Sequence, residues 1–256
     1  LKESKVWIPR KGSLLKRCIS ERKINLISFL FILKNYLIII LYLLVLISMN
    51  KYIAEFYGTF LLLLSIVGTA HMMTSMNSPE YITLFAISIA AGSILFCNIS
   101  LFMKVSGAHF NPAVSLMMLL RGNINIKDFS LYSIMQILGG ISAVLCVHIM
   151  FGENPVGISQ IDRSSTNILL GEFIATLGLL IVIIHGDRFS PSNIPVLVGA
   201  YILSAIFFTS STCFANPAVT IARLFTDSGV GINLSSVALF LIVEILAVFV
   251  VSKSIE

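Results

Sequence analysis

The chain has 256 residues, of which 57% are hydrophobic and only 11% charged, with a mean hydropathy of +0.97. Soluble domains carry roughly a quarter charged residues, so this composition excludes a soluble protein and makes bilayer lipid the solvent. The net charge of +5 is local: residues 1–34 hold nine of the 17 Lys and Arg and two of the 12 acids, and the rest carries eight bases against ten acids, a net −2. Beyond the first segment no basic surface is left for nucleic acid.

Residues 1–23 are basic and polar, and 24–48 are almost continuously apolar, broken by Lys34 and Asn35. An extra membrane helix, a targeting segment and an upstream stretch ahead of a true start at Met49 all fit. The third is favoured, because Met49 opens a natural N-terminus and no small-residue cleavage pattern follows the apolar part. Residues 1–48 are therefore set apart from a domain at 49–256.

From Met49 on, apolar runs near 51–72, 81–103, 130–151, 167–185, 194–211 and 233–252 are long enough to cross a ~30 Å hydrocarbon core. Two shorter apolar segments, 111–120 and 216–225, each open with Asn-Pro-Ala-Val. A ten-residue helix is about 15 Å long, which is half the core. The expected fold is all-α: six crossings and two re-entrant half-helices.

The two halves repeat. Ala54-Glu55-Phe56 returns as Gly171-Glu172-Phe173, Asn111-Pro112-Ala113 as Asn216-Pro217-Ala218, and Gln136-Ile137-Leu138 as Glu244-Ile245-Leu246, at offsets of 117, 105 and 108 residues. A unit of three crossings, here about 49–151 and 167–253, enters the membrane from opposite sides in its two copies, which gives an inverted repeat. Lys51, Lys104, Arg121, Lys127, Arg188 and Lys253 then share one face with the termini, and Arg163 and Arg223 lie on the other. Cytoplasmic loops are enriched in Lys and Arg, so cytoplasmic termini are expected.

Asn is a strong N-cap and Pro is well tolerated at the first helical position. One such pair is an ordinary cap; two at matched positions inside a hydrophobic chain need a cavity, because irregular backbone at membrane depth must be sheltered. Each helix N-terminus carries about half a positive charge. Two of them facing one pore repel cations, while the Asn111 and Asn216 amides can still donate to a passing oxygen. Glu55 and Glu172 lie inside apolar spans, where ionisable groups are costly. They read as props that accept hydrogen bonds from the re-entrant loops, with Gln136 and Glu244 serving the same end; a proton relay would need a partner chain of ionisable groups. Gly58, Gly92, Gly139 and Gly140 permit close helix contact.

Cys18, Cys97, Cys146 and Cys213 show no paired spacing, so neither a metal site nor a disulfide framework is suggested. His71, His148 and His185 read as interfacial. His109 precedes the first half-helix and either bonds a loop or lines the inner pore. No metal or cofactor is expected.

The run Ser106-Gly107-Ala108-His109-Phe110-Asn111-Pro112-Ala113-Val114, the second Asn-Pro-Ala and the paired Glu-Phe resemble aquaporins, the major intrinsic protein family, over residues 49–256. The resemblance implies a right-handed bundle, a homotetramer with one pore per subunit, and an outer constriction. Carried over by spacing, that filter is Ala91, Ser204, Cys213 and Val219. Here the chain departs from the family pattern: Val219 stands where an Arg is usual, and Arg223 comes a turn later, either reaching the pore or facing protein. Small filter residues without a fixed cation imply permeation beyond water, to glycerol, urea or neutral metalloid hydroxides. The segment from Phe208 to Arg223 is similar to a bacterial subgroup linked to arsenite, and a bacterial inner membrane follows from that resemblance. Cys213 is expected at the pore mouth. Rival readings are a strictly water-selective channel and a secondary transporter, which would need a coupling-ion site. Catalysis lacks any phosphate loop, metal-ligand spacing or triad-like grouping.

Overall fold

The computed structural model describes residues 50–254, so the reading of residues 1–48 lies outside the described residues. Among those described, all regular structure is helical: α1 (Lys51–Ser75), α2 (Glu80–Ser106), α3 (Pro112–Leu120), α4 (Ile126–Phe151), α5 (Thr166–Phe189), α6 (Ile194–Phe208), α7 (Pro217–Ala222) and α8 (Leu234–Ser254). Six of the helices, with α6 counted from Pro191, are long and apolar enough to cross a membrane.

Local chemistry sets the ends. The Asn50 side chain accepts from the Tyr52 N–H at 3.0 Å and starts α1, and Asn125 does the same for Asp128 at 2.9 Å in α4. Gly107 (φ +87°) and Gly152 (φ +75°) end α2 and α4 in the left-handed conformation that glycine adopts without penalty. The helix expected over 194–211 stops at Phe208, because Thr209 turns to extended backbone and the chain enters a loop with Thr212, Cys213 and Ala215 at positive φ. The segment expected over 216–225 is α-helical to Ala222, then a single 3-10 turn at Arg223–Phe225.

Packing repeats with the sequence. α1 lies on α4 as α5 lies on α8, and α1 packs on α2 as α5 packs on α6. The halves interlock: α2 meets α6, α7 packs on α4, α3 packs on α8, and the two half-helices touch. Glycine makes the closest crossings possible. A Cβ on Gly92 would sit 2.7 Å from the Gly199 carbonyl oxygen and one on Gly199 2.7 Å from that of Gly92; one on Gly139 would sit 2.3 Å from the Phe56 carbonyl oxygen. Such backbone approach supplies the van der Waals contact that holds helices together in lipid. Side chains such as Leu63, Val67, Val144 and Phe240 are fully buried, whereas Tyr81, Phe85, Leu101 and Phe249 stand exposed on the outer faces. An apolar exterior of this kind fits a multi-pass integral membrane protein.

Candidate functional site: a cavity between two Asn-Pro-Ala loops

The two loops before the half-helices meet at the centre. The Asn111 Oδ1 accepts from the Ala113 N–H at 2.8 Å and the Asn216 Oδ1 from the Ala218 N–H at 2.9 Å, the capping geometry that the Asn-Pro pairs predict. Their amide nitrogens cross over: Asn111 Nδ2 donates to the Ala215 carbonyl at 2.7 Å and Asn216 Nδ2 to the Phe110 carbonyl at 2.8 Å. An amide nitrogen has two hydrogens, so each Asn keeps one N–H after fixing its plane. Both residues line a cavity of about 420 Å³.

The loop backbones are held open by the carboxylates. Phe110, Thr212, Cys213, Ala215 and Ala108 all sit at positive φ, a conformation costly for residues with a Cβ. What over-determines it is hydrogen bonding. Glu55 accepts from the His109 N–H at 3.0 Å, the Phe110 N–H at 2.6 Å, the Ser106 hydroxyl and the Gln136 amide at 2.8 Å. Glu172 accepts from the Phe214 N–H at 3.1 Å and from the Ala215 N–H. Glu244 accepts from the Asn216 N–H at 3.1 Å and the Thr220 hydroxyl at 2.8 Å, while Gln136 donates to the Ser115 hydroxyl at 3.1 Å. Ser115 and Thr220 are 105 residues apart, the offset of the Asn pair, so these bonds repeat as well. The four side chains Glu55, Gln136, Glu172 and Glu244 are completely buried and sit where loop support requires.

The cavity wall has two characters. One side is polar: His109, Asn111, Asn216 and the loop residues Ala108, Phe110 and Ala215. His109 is held by a bond between its Nδ1 and the Ser115 hydroxyl at 3.0 Å and by edge-on contact with Tyr132. The other side is aliphatic: Leu62, Ile66, Leu95, Leu179, Ile202 and Ile206, drawn from α1, α2, α5 and α6. Ala91, Cys213 and Val219 line the cavity.

One expected position differs, and the alternative left open for Arg223 is decided. Ser204 is exposed on the outside of α6, its hydroxyl bonded to the Ala200 carbonyl at 2.9 Å, and is absent from the cavity wall. Residues 198, 202 and 206 recur at one helical face, and position 204 lies on the other side of the helix. Counting back from Asn216 assumes a loop of family length, and the loop here places Ile206 inward. Arg223 does not reach the cavity. It is buried, its Nε donates to the Val230 carbonyl, and its guanidinium lies 3.5 Å from the ring centroid of Phe214, which itself lines the wall. Arg223 is thus held in protein, with Arg163 also over Phe214 at 5.2 Å. Beside it in the loop, hydrogen bonds from Ser164 and Ser236 hold the Asp162 carboxyl below the ordinary carboxylate range.

Sequence reasoning missed Phe214, Ile202 and Ile206. Phe214 could have been found as the residue two before Asn216, matching Phe110 beside Asn111 only loosely; the aliphatic wall has no motif. It also missed the ion pair of Lys51 and Asp128 at 2.8 Å, joined by the Tyr52 hydroxyl at 2.7 Å, which ties the start of α1 to the start of α4.

Comparison with known proteins places this architecture. The chain is 40% identical over 197 residues to the aquaglyceroporin AqpS of Rhizobium meliloti (strain 1021), covering 77% of this chain and 84% of that protein. It is 29% identical over 209 residues to aquaporin TIP2-3 of Arabidopsis thaliana, covering 75% of this chain and 80% of the relative. In fold it is similar to the X-ray structure of the aquaglyceroporin from Plasmodium falciparum, with a TM-score of 0.61 at 22% identity over 80% of this chain and 96% of that one. Residues 45–212 match the family described as Major intrinsic protein, and the chain belongs to that family.

Proposed function

We propose that the chain conducts small uncharged solutes with a hydrocarbon backbone, glycerol above all, together with water, through an apolar filter that lacks the usual cation. As a member of its family it is a channel for water and small solutes, not an enzyme. The observation that carries the proposal is the filter level itself: Ala91, Cys213 and Val219 form the wall, and Arg223 is tied back against Phe214.

The physical reasoning is one of matching surfaces. A polyol passing in single file turns its hydroxyls to the polar line of loop carbonyls, His109, Asn111 and Asn216, and its carbons to the aliphatic wall. Each Asn amide has a free N–H to donate, while its Oδ1 is turned to its own helix cap. A water or hydroxyl oxygen accepts there; hydronium, whose positively charged oxygen is a very poor acceptor, meets the positive ends of two half-helices. Neutral metalloid hydroxides and urea present comparable size and hydroxyl or amide edges, and are carried on the same reading. A strictly water-selective pore would need a strong donor at the filter to orient each molecule, and the filter side chains supply nothing stronger than the weak S–H of Cys213.

The functional unit is residues 49–256, working as repeats over 49–151 and 167–253. It assembles as a homotetramer in a bacterial inner membrane, with both termini cytoplasmic, supported by the Lys and Arg bias and by the similarity to a bacterial aquaglyceroporin. Its partners are the permeating solutes and membrane lipid. Val219→Arg tests the filter directly: glycerol flux should fall roughly tenfold, about 1.4 kcal/mol in barrier, while osmotic water flux persists. Unchanged glycerol flux would show that this position does not face the permeating solute.

A further inference from the structure

The ends of α1 and α4 that lie opposite the termini carry a cluster which the channel reading does not use. His71 and His148 are both buried, at 7% and 2% exposure, and their rings meet edge to face with centroids 5.4 Å apart. Glu153, just past the end of α4, reaches His71 Nδ1 with a carboxylate oxygen at 2.9 Å and keeps half of its side chain exposed. One ligand atom from each of the three residues falls within 4.8 Å of the others.

We propose that His71, His148 and Glu153 form a binding site for a zinc-like divalent transition metal at this face of the channel. Two imidazoles and a carboxylate are the donor set that zinc takes in sites of three protein ligands, the fourth position being left to water. The exposed side of Glu153 leaves room for that fourth ligand. In a tetrahedral shell of ~2.1 Å radius, ligand atoms are about 3.4 Å apart, so the widest pair needs to close by up to roughly 1.4 Å on the ion.

The bonding around the rings supports ligation. His148 Nδ1 faces the Pro155 carbonyl at 2.9 Å. A carbonyl cannot donate, so Nδ1 carries the hydrogen and Nε2 holds the lone pair. This N–H to carbonyl bond is the orienting contact that ligating histidines make. Nε2 now accepts from the Thr226 hydroxyl at 3.0 Å, and Thr226 has a second partner in the Ser228 hydroxyl, also at 3.0 Å, to which it can turn. His71 Nε2 is buried and has no hydrogen-bond partner. A buried ring nitrogen without a partner is costly in a structure where nearly all such groups are paired, and a metal bound at Nε2 would satisfy it.

The test is a zinc titration of the full chain, purified in detergent, against a competing chromophoric chelator. The expected result is one Zn²⁺ per chain, with affinity reduced at least about tenfold in H71A and in H148A and unchanged in H185A, whose histidine lies towards the other end of its helix. X-ray absorption at the zinc edge should show imidazole scattering that the H71A/H148A double variant lacks. Should the histidine variants fold poorly, E153A decides, because it alters an exposed side chain: weakened zinc binding supports the site, and unchanged binding overturns it. Stoichiometric binding that survives loss of both histidines, or no saturable binding by the parent protein, also overturns it.

Discussion

Glu55 and Glu172 show how single residues create a pore in lipid. Each places a carboxylate in a fully apolar span and uses it to hold loop N–H groups that no helix can satisfy. Glu55→Ala leaves at least two buried donors unpaired at about 1–3 kcal/mol each. A loss of 3 kcal/mol or more is expected, read as a lowered thermal midpoint in detergent together with lost flux. Cys213 lines the cavity, so mercurials should block permeation, and Cys213→Ser should be insensitive while conducting normally; block that persists in the variant would move the reactive thiol elsewhere. The Asn pair and its supporting carboxylates were legible because Asn-Pro at matched offsets and Glu inside an apolar run are costly in lipid unless each caps or props a re-entrant loop. Ser204 was misplaced because register along α6 depends on loop length, which spacing from a distant motif does not report. The pairing of His71 with His148, 77 positions away, has no sequence signature, so both read as interfacial.

At the scale of elements, glycine decides which helices can touch. Gly139→Ala puts a methyl 2.3 Å from the Phe56 carbonyl oxygen, and backbone cannot rotate away as a side chain would. Separation of α1 from α4 should cost about 1–3 kcal/mol, visible as a lower thermal midpoint, with weakened capture of the Asp128 carboxylate by Lys51 and Tyr52. A stability equal to that of the parent protein would mean that the crossing is looser than described. Helix identity and order followed from apolar length and caps, and most ends fell within a few residues of the expected ones. The end of α6, which fell three residues short of the expected one, lies beside the second loop, where strained backbone replaces helix for reasons that only the hydrogen bonds to Glu172 and Glu244 reveal.

At the largest scale, the described residues 50–254 are a duplicated unit closed on itself. Each half-helix packs on the last helix of the other repeat, and each Asn bonds the other repeat's loop. The two halves therefore cannot separate without breaking the site, which suits a fixed pore more than a rocking transporter. The inverted repeat was visible from three offsets alone. The apolar lining of the cavity was visible only in part: Val219 could be placed from the Asn-Pro-Ala motif, but Phe214, Ile202 and Ile206 come from packing. The most direct test is light scattering from liposomes holding the full chain after a glycerol gradient. Fast shrinkage followed by fast reswelling, both well above empty vesicles, is the predicted result; fast shrinkage without reswelling would make the protein a water channel and contradict the reading of its filter.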